Sequence, residues 1–458
     1  FLSSGLVKII TFVSAREVTA QIVRVLSTDA EVAAGTWTLE HEAWNATDGY
    51  PGVAVFHEQR LIYLSSPGFP QTVWGSGSNG NYEDLARGTL ADEPFEYQLA
   101  EAQGLLHWAV PGQQLIIGAE NGPFKMVGQN DGPLLASEAP LVLSLGDYGT
   151  SEVEALRVGH SILYVQRQGT KLREFTFQQL SFQYQPPEDL SALSEHLFAS
   201  GHITQMAYAQ EPIPLVVLVH DSGVPRWMTY DKIQEVKAWS RQPVGGGLVR
   251  SAAVIPHPML NAHQIWYVVE RVIGGVTTQY IEVIDDLAVG VDAAVVYNGV
   301  ATTTLTGLAH LEGEPVRIAG IPATGTHWAA FGGQVVGGGE VTIPVACTQL
   351  YAGREAIAIL DTLPPDIPGA VTLQRQRKRW QEVFLALWES GMGLFVNGQR
   401  IDITPRNVTM DDGIEFQTGN FPVPNLGWDL DAILTLVHEE PLPCTILLAG
   451  GALEIGDN

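Results

Sequence analysis

One layout recurs five times along this chain: an apolar strand, a short polar or Gly/Pro turn, a second apolar strand, and a turn into a third. The copies start at Val53, Leu106, Leu156, Met206 and Val254, about 50 residues apart. The turns carry Glu58-Gln59, Pro111-Gly112, Asn121-Gly122, Gly159 and Gln168-Gly169. Glycine tolerates the positive φ of tight hairpin turns, so these positions mark strand reversals. Three or four antiparallel strands in such a period match one blade of a β-propeller, and a single blade cannot bury both its faces alone. The expected fold is therefore all-β: a propeller of five or more blades over residues 41–300.

Composition agrees. The 458 residues include 48 glycines and 27 prolines, and only 16% are charged, which suits short strands and turns rather than helical bundles or disorder. Residues 1–40 read as the end of an upstream β region, with FLSSGLVKIITFV already strand-like and without the features of a signal peptide. Residues 301–368 break the period and read as an inserted small β-barrel or sandwich. Residues 369–458 read as further strands that return to close the propeller. Within them QRQRKRWQEVFLALWES could be helix or strand, and its alternating tail favours strand. The closing segment is two strands broken at Pro441 and Pro443. No apolar run reaches the roughly 18 residues of a membrane helix.

The net charge is −26. Grip on phosphate needs clustered Lys and Arg, so sequence-independent DNA binding is disfavoured. Acidity fits either plain solubility or a channel wall along which DNA slides. Cys347 and Cys444 are the only cysteines, which excludes a disulfide framework and any Cys-pair metal site.

Catalytic signatures are missing. No nucleophile elbow, zinc helix, phosphate loop or calcium loop occurs, and no cofactor is expected. Propeller glycosidases need two convergent carboxylates, for which Asp189, Asp285-Asp286 and Asp411-Asp412 are candidates. Adjacent aspartates on a strand point to opposite faces, which argues against both pairs. HDSGVPRW (His220–Trp227) is like a sialidase Asp-box, but the serine before the aspartate is missing, and a turn at Asp221–Gly223 explains it better. His257 and His263 flank a loop. Trp108, Trp227 and Trp266 sit inside strand runs and read as core. The one basic cluster, Arg375–Arg379, suits a subunit-interface partner for acidic surface better than a nucleic-acid contact.

Several ordered motifs resemble the nozzle, or tail tube, proteins of short-tailed bacteriophages. They are Gly49-Tyr50-Pro51, Gln59-Arg60-Leu61, Pro70-Gln71 with Trp74 and Ser76, Leu172-Arg173-Glu174, Asp189-Leu190 with Leu193, His196 and Leu197, and Gly307-Leu308 with His310 to Gly313. The resemblance spans roughly residues 40–320 and resumes near EEPLPCTILL. It implies a non-enzymatic virion tail protein that assembles into a ring, usually a hexamer. Such a ring hangs below the tail adaptor, meets fibre or spike proteins, and passes genomic DNA without reading its sequence. On flexibility alone, the candidate gate loops are Gly75, Ser76, Gly77, Ser78, Asn79, Gly80 and Gly245, Gly246, Gly247. The alternative reading is a propeller-type glycan-binding protein, glycosidase or depolymerase.

Overall fold

A computed structural model describes residues 5–26, 43–78, 80, 82, 84–85, 87–178, 183–285, 290–366, 376–403, 415–424 and 426–456. The fold is all-β. Helical structure among the described residues is confined to 3-10 turns at Gln129–Asp131, Ala192–Leu197 and Ala309–Leu311. The chain divides into two compact units: residues 1–222 with 226–241, and residues 223–225 with 242–458.

In the first unit, the hairpin Leu6–Ser14 with Glu17–Arg24 precedes four consecutive antiparallel meanders. The first comprises Val53–His57, Arg60–Leu64, Thr72–Gly75 and Phe95–Gln98; the second, Leu106–Val110, Leu115–Ala119, Gly122–Val127 and Leu141–Ser144. The third runs through Leu156–Val158, Ser161–Val165 and Leu172–Gln178, whose far edge takes two short strands, Gln183–Tyr184 and Glu188–Asp189. The fourth is Ile203–Ala209, Leu215–His220, Arg226–Asp231 and Val236–Arg241.

The expected turns make these reversals. Glu58 and Gln59 both adopt left-handed φ (49° and 63°), as a two-residue hairpin requires. Gly159 and Gly169 do the same at 59° and 75°. Inner strands are apolar throughout because both sheet faces are covered: all five positions of Leu115–Ala119 and of Ser161–Val165 are buried.

Core clusters run through successive sheets. Ile62, Leu64 and Phe95 of the first meander pack with Leu115, Ile117 and Phe124 of the second. The other face of the second sheet gives Trp108, Val110 and Ile116 to a cluster with Ile162, Tyr164 and Phe175 of the third. Leu163, Val165 and Leu172 then pack with Val216, Leu218 and Met228 of the fourth. The four sheets are thus stacked face on face in chain order.

The second unit opens with the fifth copy of the repeat, which forms a meander of only three strands: Gly247–Pro256, His263–Ile273 and Val276–Val283. The next sheet is ordered Val291–Thr306, Glu340–Glu355, Pro315–Pro322, Ala329–Val335, around a core of Leu305, Leu311, Ile318 and Leu350. Its first strand runs through residue 300, where the sequence reading set a domain boundary. The ambiguous segment is a strand, Lys378–Ser390. The closing segment is two strands broken at the prolines, as expected. Thr435–His438 pairs with Ala358–Asp361 and Leu394–Val396, and Thr445–Ile455 pairs with Lys378–Ser390. These strands therefore complete sheets of their own unit rather than a blade of the earlier repeat.

Candidate functional site

In the two glycine loops chosen as gates, Gly75–Ser78 and Gly245–Gly247 are held by neighbouring groups. Gly75 is the last residue of its strand, and a Cβ there would lie 2.4 Å from the Phe95 ring. Ser76 is fully buried: its amide bonds the Leu61 carbonyl at 3.0 Å, and its Oγ accepts the Leu61 amide at 3.0 Å. Gly77 is buried, and the Ser78 amide donates to the Asp92 carbonyl at 3.0 Å. Gly80 is exposed, and Asn79 lies outside the described residues. The chain needs glycine at 75 because the neighbouring aromatic fills the space of a side chain, which is a packing reason and not a hinge.

Gly245–Gly247 is held from both sides. The Gly245 amide donates to Asp292 Oδ2, and the Gly245 carbonyl accepts from Arg271 Nη1. Arg271, itself 1% exposed, is oriented by a bidentate pair with Glu282 at 2.6 and 2.8 Å. Burial of Asp292 pushes its carboxyl above the ordinary range, although the Gly245 amide and Arg271 act the other way. A carboxyl whose folded pKa is raised loses stability as pH climbs above its unfolded value near 3.9. Asp292→Asn keeps an acceptor and removes that cost, so its stability relative to the parent should improve between about pH 4 and pH 7. Thermal melts across that interval check this. Asp292→Ala strips the Gly245 amide of its acceptor and should lose about 1–3 kcal/mol.

Of the carboxylate candidates, Asp189 and Asp285 lie among the described residues. Asp189 is a structural cap: Oδ1 accepts from the amide and hydroxyl of Ser191 at 2.9 and 2.6 Å, and Oδ2 takes Lys171 Nζ at 2.9 Å. Burial alone would raise its pKa, but these bonds hold it below the usual range. Asp285 is exposed, and Asp286, Asp411 and Asp412 lie outside the described residues. The Asp221 segment is the expected turn, with Gly223 at φ 77°. His220 Nδ1 lies 2.8 Å from Ser222 Oγ and 3.2 Å from Asp221 Oδ1, so one nitrogen serves both neighbours and no base relay exists. His257 Nδ1 accepts the amides of Met259 and Leu260 at 3.1 and 3.0 Å, a loop cap. No group of metal-ligating side chains occurs among the described residues.

Trp108 is core, as expected, while Trp227 and Trp266 are half-buried strand positions. Two members of the basic cluster are used by their own chain. Lys378 is buried and donates to the Leu430 carbonyl at 2.8 Å, while Arg379 pairs with Glu454 and lies 5.2 Å over Trp428. Arg377 is exposed, and Arg375 lies outside the described residues.

The polar centres that organise the first unit went unassigned in the sequence. Arg60, 2% exposed, donates to the carbonyls of Ser76 (2.6 Å), Glu93 (2.8 Å) and Ala91 (2.6 Å). Glu174, 4% exposed, joins the third and fourth meanders: Oε1 accepts from Ser161 (2.8 Å), Thr176 (2.9 Å), Tyr230 (2.7 Å) and Lys232. Also unassigned was a cavity of about 370 Å³ between the second and third meanders. It is lined by the Pro111–Gln114 turn on one side and by Arg157, His160, Phe177 and Tyr184 on the other. A charged residue opening an otherwise apolar strand, as Arg60 does in RLIYL, was the available signal for the first centre.

No family model matches the chain, and no curated protein matches it. Among solved structures, an exo-β-1,3-galactanase from Phanerochaete chrysosporium aligns over 90% of this chain and 96% of its own, at 8% identity and a TM-score of 0.26. A chain from the Saccharomyces cerevisiae complex of dbp5, nup159 and gle1 aligns over 84% of this chain and 87% of its own, at 10% identity and a TM-score of 0.25. At such scores neither likeness bears on function.

Proposed function

We propose that this chain is a structural subunit of a phage tail nozzle, a ring, usually hexameric, through which genomic DNA leaves the virion. The observation that carries the reading is the stack of four antiparallel meanders with a core running through every successive pair of faces. A stack of this kind supports a propeller reading, whose blades would be rigid modules suited to a tube wall.

Some residues of the resemblance have structural roles, while others such as Tyr50 and Leu193 are exposed. Arg60 binds the carbonyl of Ser76, Gln71 binds that of Ala102 at 2.7 Å, and Trp74 packs against Trp44 at 5.6 Å. Glu174 and Asp189 are the capped carboxylates described above. In this reading the subunit closes a ring by heterologous contacts, meets the tail adaptor above and fibres or spikes at its side, and presents acidic surface to passing DNA.

Electron microscopy of the purified protein with its neighbouring tail proteins tests this. The expected result is a closed ring with a channel wide enough for a duplex, about 20 Å. A monodisperse monomer under those conditions overturns it.

A further inference from the structure

The cavity between the second and third meanders has the makings of a ligand site. Its volume of about 370 Å³ falls in the range of small-molecule pockets. One wall is aromatic: Phe177 and Tyr184 stand with ring centroids 5.2 Å apart at 59°. At the mouth, Arg157 is clamped, its Nη1 donating to the Pro111 carbonyl at 2.9 Å. That contact ties the third meander's turn to the second's and fixes where the guanidinium points. His160 lines the same mouth and is exposed. On the facing side Gln114 lines the cavity, with its Nε2 within 3.5 Å of Asp131 and its Oε1 closed off from the open space.

No described aspartate or glutamate lines the cavity. In a chain of net charge −26 the described lining is a local reversal, with one fixed cation and no carboxylate pair of the kind glycosidic cleavage needs. We propose that this cavity binds, without cleaving, a carboxylate-bearing pyranose such as a uronic acid residue of a surface glycan. The sugar carboxylate pairs with the Arg157 guanidinium, and the apolar face of the ring lies against Tyr184 and Phe177. Neutral sugars lack the first contact, and small carboxylates lack the second.

The test is saturation-transfer NMR and calorimetry on the full chain with galacturonate, glucuronate, glucose and acetate. A uronate should saturate the protein, and glucose and acetate should bind at least tenfold more weakly. Arg157→Gln should weaken the uronate at least tenfold and leave glucose unchanged. Because Arg157 also ties the two meanders together, Tyr184→Ala serves as an independent variant: it removes one aromatic face and should weaken the uronate severalfold, read on protein whose melting curve shows it folded. Absence of saturable binding by either uronate overturns the proposal. So does displacement of the uronate by equal acetate, or unchanged uronate binding in both variants. A failed ring assembly would leave these outcomes untouched, since they are read on the chain alone.

Discussion

Arg60→Met should lower the melting temperature of the protein by roughly 6–15 °C, the shift that about 3–5 kcal/mol produces in a unit of this size. The guanidinium gathers three backbone carbonyls, those of Ser76, Ala91 and Glu93, which lie on either side of the long connection between the third and fourth strands of the first meander. It also lies 5.5 Å from the centroid of the Phe95 ring. Burial pulls its pKa below the ordinary arginine value, yet it stays charged, and its bonds are charge-assisted.

Methionine fills much of the stem's volume but satisfies none of the three carbonyls. Each buried carbonyl left open costs about 1–3 kcal/mol. Lysine should rescue only part of the loss, because a point charge on a flexible stem cannot span three acceptors held in a fork. Hydrogen exchange locates the effect: amides of Ser76, Ser78 and Gly88 should lose protection first in the variant. An unshifted melt, or uniform loss of protection across the four meanders, would show that the guanidinium does not hold this connection.

The meanders were legible in the sequence because turn chemistry and burial pointed the same way. Left-handed positions at Glu58-Gln59, Gly159 and Gly169 fall where the repeat placed reversals. Strands covered on both faces, such as LIIGA and SILYV, left unbroken apolar runs that no solvent-facing strand would carry. The fifth copy has the same pattern, and local pattern does not report which unit a sheet joins. Nor does it report that Val291–Thr306 continues through residue 300, because one strand of 16 residues with register shifts reads as two.

The candidate loops were chosen on glycine content, and glycine has two uses. At Gly75 it makes room for Phe95, and at Gly246 it supplies a φ of 64° in a turn held by Arg271 and Asp292. Neither use is a hinge, and only the tertiary neighbours tell them apart. The cavity escaped for a related reason. Gln114 lies in a turn of the second meander and Arg157 in the first strand of the third, and nothing within either segment signals that the two meet.

Glu174→Ala should cost about 2–4 kcal/mol at neutral pH, and most of that difference should vanish on acidification. A carboxylate 4% exposed normally resists ionising, and burial by itself drives its pKa up. Here hydrogen bonds from Lys232, Tyr230 and Ser161 outweigh burial and hold it below the ordinary glutamate range. The stabilisation is therefore present above the unfolded value near 4.3 and is lost as pH falls through the lower folded value.

Alanine leaves the buried Tyr230 hydroxyl and the Ser161 hydroxyl without their shared acceptor. Lys232 is 41% exposed and can turn to water, so the loss falls below that of a fully buried pair. Glu174→Gln keeps an acceptor but not the charge, and should lie between parent and alanine at pH 7 and draw closer to the parent as pH falls below the unfolded glutamate value near 4.3. Denaturant melts of the three proteins from pH 7 down into the acid range decide the matter. Differences that stay constant with pH would mean Glu174 acts by filling space, while a gap between parent and Glu174→Gln that narrows only on acidification would show that an ionised carboxylate joins the third and fourth meanders.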